Sequence, residues 1–299
     1  MIDRITEQPF CQTRVSGSTF VNADCFDVFP FIEDKSIDAI ICDLPYGTTA
    51  CKWDSILPLD KLWKEYKRII KPNGAIILTA SQPFTSVLGC SNLEWLKYEW
   101  VWDKVRGVGF QVAKHRPMMQ HENILVFGKG KVTYNPQMRK RDDVKRSKSY
   151  AKVDSSNPLK YNHGEVIEYT ERHPTSILTY SNASQKGKEH PTQKPLELFE
   201  YLVKTYTNEG DTVLDNTMGS GTTNLACIKL NRKSIGIEKE KQYYDVAVRR
   251  ASECSIAYVV KDMESESNEA MELKYTTQEI IDAVNYGFKY AIESQNNGL

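Results

Sequence analysis

The segment Asp43-Leu44-Pro45-Tyr46 follows an apolar run, Ala39-Ile40-Ile41-Cys42, and places an acid, a turn and an aromatic ring at its end. Asp43 can accept hydrogen bonds through its side-chain carboxylate. Pro45 pushes the residue before it toward extended geometry, which fixes the direction of the Leu44 carbonyl. Two acceptors held side by side can grip both N–H bonds of an amino group and favour a tetrahedral nitrogen, a preorganised electrostatic device. Tyr46 offers a flat face beside them. Standing alone, the tetrapeptide also reads as a strand-ending turn with Asp43 as its local cap.

Three more acids stand at the ends of apolar runs: Asp24 after "TFVNA", Asp215 after "TVL" and Glu238 after "SIGI". In open α/β sheets ligands bind beyond the carboxyl ends of the strands, so the four acids are expected to face one crevice. Asp215 opens "DNTMGSGTTNLACIKL", a strand, glycine turn and helix in which Gly219 and Gly221 would let the backbone approach a ligand. A dinucleotide fingerprint would need glycine where Asn224 stands, and a phosphate loop would need a lysine that Gly221-Thr222-Thr223 lacks. With Asp215 at the turn and Glu238 where an acid bonds ribose hydroxyls, the ligand indicated is cationic and carries a ribose, as S-adenosylmethionine (SAM) does.

"DNTMGSGTT" resembles the D-x-F-x-G-S-G-T loop, and "DLPYG" the D-P-P-Y motif, of amino-methyltransferases that modify DNA. The order, with D-P-P-Y ahead of the glycine loop and a variable region between, resembles the β class of adenine-N6 and cytosine-N4 enzymes. "NADCFD", "RIIKPNGAIIL", "HENILVFGKG", "HPTQKP" and "IGIEKEKQYYDVAVRR" extend the match over Thr19 to Arg250. The resemblance implies that Asp215, Thr217, Gly219 and Gly221 line the methionine and ribose part of SAM. It also implies that Glu238 takes the ribose hydroxyls, Asp24 lies near the adenine amine, and Lys194 of "HPTQKP" pairs with the methionine carboxylate. Asp43 and the Leu44 carbonyl would then hold the exocyclic amine of a flipped base, with Tyr46 against the ring. Asp rather than Ser at position 43 favours adenine N6 over cytosine N4 by family analogy. Leu44 replaces the usual proline but keeps the backbone carbonyl. The alternatives are a cytosine-N4 enzyme and a catalytically silent SAM- or DNA-binding protein.

The elements that must position these residues are β-rich runs ("STFVNAD", "SIDAIICD", "GAIILTA", "YEWVWDK", "NILVFGK", "DTVLDNT", "KSIGIEK") alternating with helical segments ("LDKLWKEYKRII", "PLELFEYLVKTY", "TTNLACIKL"). That alternation predicts an α/β chain with a mostly parallel, twisted sheet and helices on both faces, a Rossmann-like methyltransferase fold carrying an inserted recognition region. The expected division is 1–128 (catalytic half), 129–189 (basic insertion), 190–252 (SAM-binding half) and 253–299 (acidic extension). The extension ends in a helix started by a Thr276/Glu279 capping box.

The 299 residues carry no net charge, yet nine Lys/Arg against two acids fall between Lys129 and Lys152, and nine acids against three bases follow from Glu253 onward. A local basic segment is sufficient to pair with phosphates, and affinity should then fall with salt. The expected partner is double-stranded DNA, contacted by Arg139, Lys140, Arg141, Lys145 and Arg146 of the insertion and by Arg106, Lys114, His115 and Arg116 of "VRGVGFQVAKHRP". Trp53 is expected in the core. Seven scattered cysteines without a C-x-x-C pair argue against a disulfide framework and a metal site, and read as mostly buried thiols. No apolar run or leader suggests a membrane or secretion, so a cytoplasmic location is expected. A homodimer is compatible with the sequence.

Overall fold

A computed structural model describes residues 4–5, 7–48, 54–150, 163–182 and 193–267. Trp53 and the Thr276/Glu279 capping box lie outside them. The chain begins with two strands, β1 (Cys11–Val15) and β2 (Ser18–Asn22), a one-turn helix α1 (Cys25–Val28) and β3 (Ile37–Asp43). Then come α2 (Leu59–Ile69), β4 (Ile70–Ala80), α3 (Phe84–Ser91), β5 (Leu96–Val108) and β6 (Met119–Phe127). A ribbon of β7 (Arg139–Tyr150) and β8 (His163–Arg172) leads to β9 (Ile177–Thr179). The last elements are α4 (Leu196–Tyr206), β10 (Thr212–Asp215), α5 (Thr222–Lys229), β11 (Lys233–Glu238) and α6 (Lys241–Ser267).

Among the described residues nine strands form one sheet in the order β1-β2-β11-β10-β3-β4-β6-β5-β9. The five-strand run from β2 through β4 is parallel throughout, whereas β1 and β6 run against their neighbours. Because β6 is antiparallel to both β4 and β5, β5 points the same way as the parallel run. Alternation within β3 divides the core. Ile40 and Cys42 join Trp63, Tyr66 and Phe84 from α2 and α3 on one face. Ala39 and Ile41 join Leu198, Phe199, Leu202 and Ala226 from α4 and α5 on the other. Burial on both faces explains why these strands read as continuous apolar runs rather than alternating ones.

Three expectations need correction. The region 129–189 is not a wholly separate insertion. Thr133 and Asn135 donate backbone hydrogen bonds to the carbonyls of Asn73 and Thr205. In addition, β9 pairs with β5 and buries Leu178 in the main core, so among the described strands of this region it is the β7–β8 ribbon that stands off the sheet. The boundary at residue 252 falls inside α6, which begins by packing Tyr244, Ala247 and Ala251 against Phe20 and Leu225 and runs on to Ser267. Finally, Cys25, Cys42 and Cys227 are buried, but Cys11 and Cys90 are exposed.

Candidate active site

Four adjacent parallel strands, β2, β11, β10 and β3, deliver Asp24, Glu238, Asp215 and Asp43 to the same edge of the sheet. All four acids line one cavity of about 280 Å³, together with Leu44, Pro45, Tyr46, Lys194, Thr217 and Gly219. The crevice inferred from the acids is thus a single space.

At the β3 end, three donors converge on one oxygen of Asp43. The Tyr46 hydroxyl donates to Oδ1 at 2.7 Å, the Lys194 ammonium lies 2.9 Å from it, and Thr79, paired across from Asp43 on β4, donates its hydroxyl to it as well. Thr217 Oγ1 donates to the Asp43 backbone carbonyl at 3.1 Å, tying the glycine turn to the end of β3. Among the described residues no donor reaches Asp43 Oδ2 or the Leu44 carbonyl, while both residues border the cavity. The Tyr46 ring is stacked on Phe84 with centroids 5.5 Å apart and planes 23° from parallel. Burial, and then the charge of Asp43, push its phenol well above the ordinary value, so Tyr46 serves as a neutral donor.

Behind Asp43 lies a buried chain of charges. Lys194, 8% exposed, sits 3.2 Å from Glu122 Oε2 as well as on Asp43, and Glu122 Oε1 in turn lies 3.1 Å from Lys104 Nζ. Burial alone would lower Lys194, but Asp43 and Glu122 outweigh it and hold the ammonium above its usual value. For Glu122 burial pushes up, and Lys194 followed by Lys104 pull harder the other way, leaving it below the usual carboxylate range. In the structure the Lys194 ammonium is engaged by two protein carboxylates, as a buried cation requires, and the residue also lines the cavity where a cofactor carboxylate is expected to meet it.

At the glycine-turn end, Asp215 Oδ1 accepts the Thr217 N–H at 3.2 Å and Oδ2 accepts the Thr223 hydroxyl at 2.6 Å. Burial pushes its carboxyl up to about 7. Glu238 accepts the Gly219 N–H on one oxygen at 2.9 Å and the Glu240 N–H on the other at 2.8 Å, and burial raises it too. Asp24 caps α1 by accepting the Phe26 N–H at 3.0 Å, and its second oxygen lies 3.1 Å from Lys239 Nζ. Gly219, at φ +52°, borders the cavity, but Gly221 does not. A Cβ on Gly221 would stand 2.9 Å from that of Ala247, and its φ is +75°, so its job is to turn the chain into α5 and admit α6 closely. The donor set suits a ligand with a cation and a diol: carboxylates dominate, and Nδ2 of buried Asn216 has no partner.

Sequence reasoning missed Thr79, Lys104, Glu122 and Asn216. Of the expected DNA-contacting residues, Arg106 sits exposed near the end of β5, and Lys114, His115 and Arg116 sit exposed on the β5–β6 connection. On the ribbon, Lys140 and Lys145 are exposed, Arg146 is 2.7 Å from Glu168, Arg141 is 3.5 Å from Asp143, and Arg139 donates to the Ile177 carbonyl. The two groups are carried by different elements. Among the described residues no helix is long and apolar enough to cross a membrane.

Comparison with known proteins follows the same outline. Residues 37–249 match the family model described as DNA methylase, N6_N4_Mtase. The chain is 33% identical over 238 residues to the type II methyltransferase M.HpaI of Haemophilus parainfluenzae, covering 73% of this chain and 69% of that one. It is 29% identical over 253 residues to the DNA adenine methyltransferase YhdJ of Escherichia coli, covering 78% and 82%. Among solved structures, the M1.HpyAVI–SAM complex superposes with a TM-score of 0.54 at 27% identity, covering 77% of this chain and 98% of that one. The cytosine-N4-specific PvuII DNA methyltransferase shares the fold, with a TM-score of 0.59 at 15% identity over 91% and 93% of the two chains.

Proposed function

Because this chain belongs to the N6/N4 DNA methylase family, we propose that it methylates adenine N6 in double-stranded DNA, acting on a flipped base by direct in-line transfer. S-adenosylmethionine, when bound, supplies the methyl group from a sulfonium. The residues of the chain do the rest. Asp215 and Glu238 would offer carboxylates to the donor's ammonium and ribose hydroxyls, Asp24 would lie near its adenine amine, and Thr217, Gly219 and the unpartnered Nδ2 of Asn216 would complete that end. Asp43 and Leu44 hold the amine.

An exocyclic amine is a poor nucleophile because its lone pair is delocalised into the ring. Asp43 Oδ2 and the Leu44 carbonyl, accepting one N–H each, would draw the nitrogen toward tetrahedral geometry and free that pair. The observation that carries this reading is the asymmetry of Asp43. Three donors fix Oδ1, no donor among the described residues reaches Oδ2, and Asp43 and Leu44 both border the cavity. A carboxylate held on one side keeps its free oxygen in place without reorganisation during the reaction. Adenine is favoured by Asp at position 43 and by the adenine specificity named for the E. coli relative. The exposed bases of the ribbon and the β5–β6 connection would meet the phosphates, and a two-stranded ribbon is of a size to enter a major groove.

The test is incubation of the full chain with radiolabelled SAM and unmethylated phage DNA, followed by mass analysis of the digested nucleosides. N6-methyladenine is expected; N4-methylcytosine would overturn the base assignment, and no label in DNA would overturn the reading. Asp43→Ala should lower kcat by about 10²–10³-fold, in line with losing one preorganised hydrogen-bonding group at a reacting atom.

A further inference from the structure

We propose that Phe110 is a wedge that enters the duplex at the place the target base leaves, an inference that rests on the function proposed above. The residue lies in a single 3-10 turn, Phe110–Val112, at the far end of the hairpin made by β5 and β6. β5 points the same way as β3 and β4, so its carboxyl end and the start of β6 emerge at the edge of the sheet that bears Asp43. The register makes this specific. Thr79 pairs with Asp43 on one side and with Ile124 on the other, so Glu122, two residues earlier on β6 and opposite Trp102, stands at that edge. Lys104 and Glu122, at the root of the projection, are the charges that brace Lys194 and Asp43. Residues 105–118 therefore extend from the active site outward on the side where DNA must arrive.

The tip of this projection is unlike an ordinary surface loop. Phe110 is 80% exposed, and Val105, Val108 and Met118 on the same projection are 50%, 51% and 41% exposed. An apolar cluster of that kind facing water marks a surface with a partner. The charges on the same projection say which partner: Arg106 near the end of β5 and Lys114 and Arg116 beyond it are exposed, His115 is exposed between the last two, and no acid falls between Asp103 and Glu122. An exposed aromatic ring on a projection that also carries cations complements a polyanion with stacked planar groups inside it, which is duplex DNA. Apolar side chains inserted between base steps are a general means of holding DNA unstacked. The backbone is also held in an unusual state. Val105 is β-branched yet has φ +70°, with its N–H donated to Asp103 Oδ1 at 2.9 Å, and Gly109 just before the ring has φ +92°.

Extruding a base leaves a gap in the stack, and filling it with an aromatic ring offsets part of the lost stacking. The wedge should therefore matter only when there is a stack to break. The experiment first reads the target sequence from DNA methylated by the wild-type chain. It then measures kcat/KM on two duplexes, one with the target base paired and one with an abasic site opposite it. Phe110→Ala should lose about tenfold or more on the paired duplex and under about threefold on the abasic one, with Phe110→Trp restoring the paired activity. 2-Aminopurine at the target position should brighten with wild type and stay dim with Phe110→Ala. The thermal midpoint should not move, because the ring touches little of its own protein.

Equal losses on both duplexes, or no loss on either, would overturn the wedge while leaving the methylation reading intact. So would a sedimentation change from dimer to monomer in Phe110→Ala, which would make the patch a contact between copies of the chain. If the wild-type chain labels no DNA at all, the functional reading fails and the wedge with it.

Discussion

Removing the charge of Glu122 tests whether the buried chain Lys104–Glu122–Lys194–Asp43 behaves as a unit. Two cations and two anions balance there, with side-chain exposures of 6% for Lys104, 13% for Glu122 and 8% for Lys194. Glu122→Gln keeps the shape and some hydrogen bonding but leaves Lys104 without its carboxylate and the cluster with an excess positive charge. Breaking a buried pair by removing one partner costs about 3–5 kcal/mol, and the retained amide contacts place this variant near 3. For a chain of this size that lowers Tm by about 6 °C, at ~2 °C per kcal/mol. Lys104→Met should repair part of the damage, because the unpaired cation is then gone, so a double-mutant cycle should show about 1–3 kcal/mol of coupling. The pH dependence has a definite sign. Glu122 is held below its unfolded-state value, so its stabilisation is present above the unfolded value of ~4.3 and is lost as pH falls through the lower folded value. Urea unfolding at pH 7 and at successively lower pH should therefore show the gap between wild type and Glu122→Gln closing in acid. A cost below about 0.5 kcal/mol, the range of an ordinary surface change, or a cycle with no coupling, would refute the account of the cluster.

Asp215, pushed up to about 7 by burial, should couple SAM binding to pH. A cationic ligand favours the carboxylate, so affinity should fall about tenfold per pH unit below 7 and level off above it, with a proton released on binding in the acidic arm. Calorimetry in buffers of different ionisation enthalpy measures both, and a flat profile from pH 6 to 8 would contradict the assignment. In the unliganded protein the raised carboxyl means that the folded state holds the extra proton. Asp215 therefore lowers stability increasingly as pH rises from ~3.9 toward 7. Gly221→Ala should destabilise by about 2–4 kcal/mol, combining a positive φ with a clash against Ala247, while the folded fraction binds SAM as before. Chemical denaturation with parallel SAM titration separates the two, and lost affinity with retained stability would return Gly221 to the ligand.

The acids at positions 24, 43, 215 and 238 were legible because each closes a strand, and strand direction in a parallel run decides which edge its last residue occupies. No knowledge of strand order was needed. Glu122, Lys104 and Thr79 were not legible for the complementary reason. They reach Asp43 through pairings of β4, β5 and β6 that join residues far apart in sequence, such as Thr79 with Asp43 and Trp102 with Glu122. The sequence did carry a faint signal. Lys104 and Glu122 interrupt the polar edges of the apolar strands "YEWVW" and "NILVF", and a charge adjoining a buried strand must find an opposite charge. Lys194 shows the same limit from the other side. Its motif put it in the cavity, but its protein partners depend on which carboxylates the fold brings within reach, and those are Asp43 and Glu122. Gly221 differs again: a glycine reports that something comes close without saying whether a ligand or a helix does. Chemistry carried by chain direction can thus be read from one sequence. Chemistry completed by desolvation needs the register, because what a buried charge does is set by its nearest counter-charge.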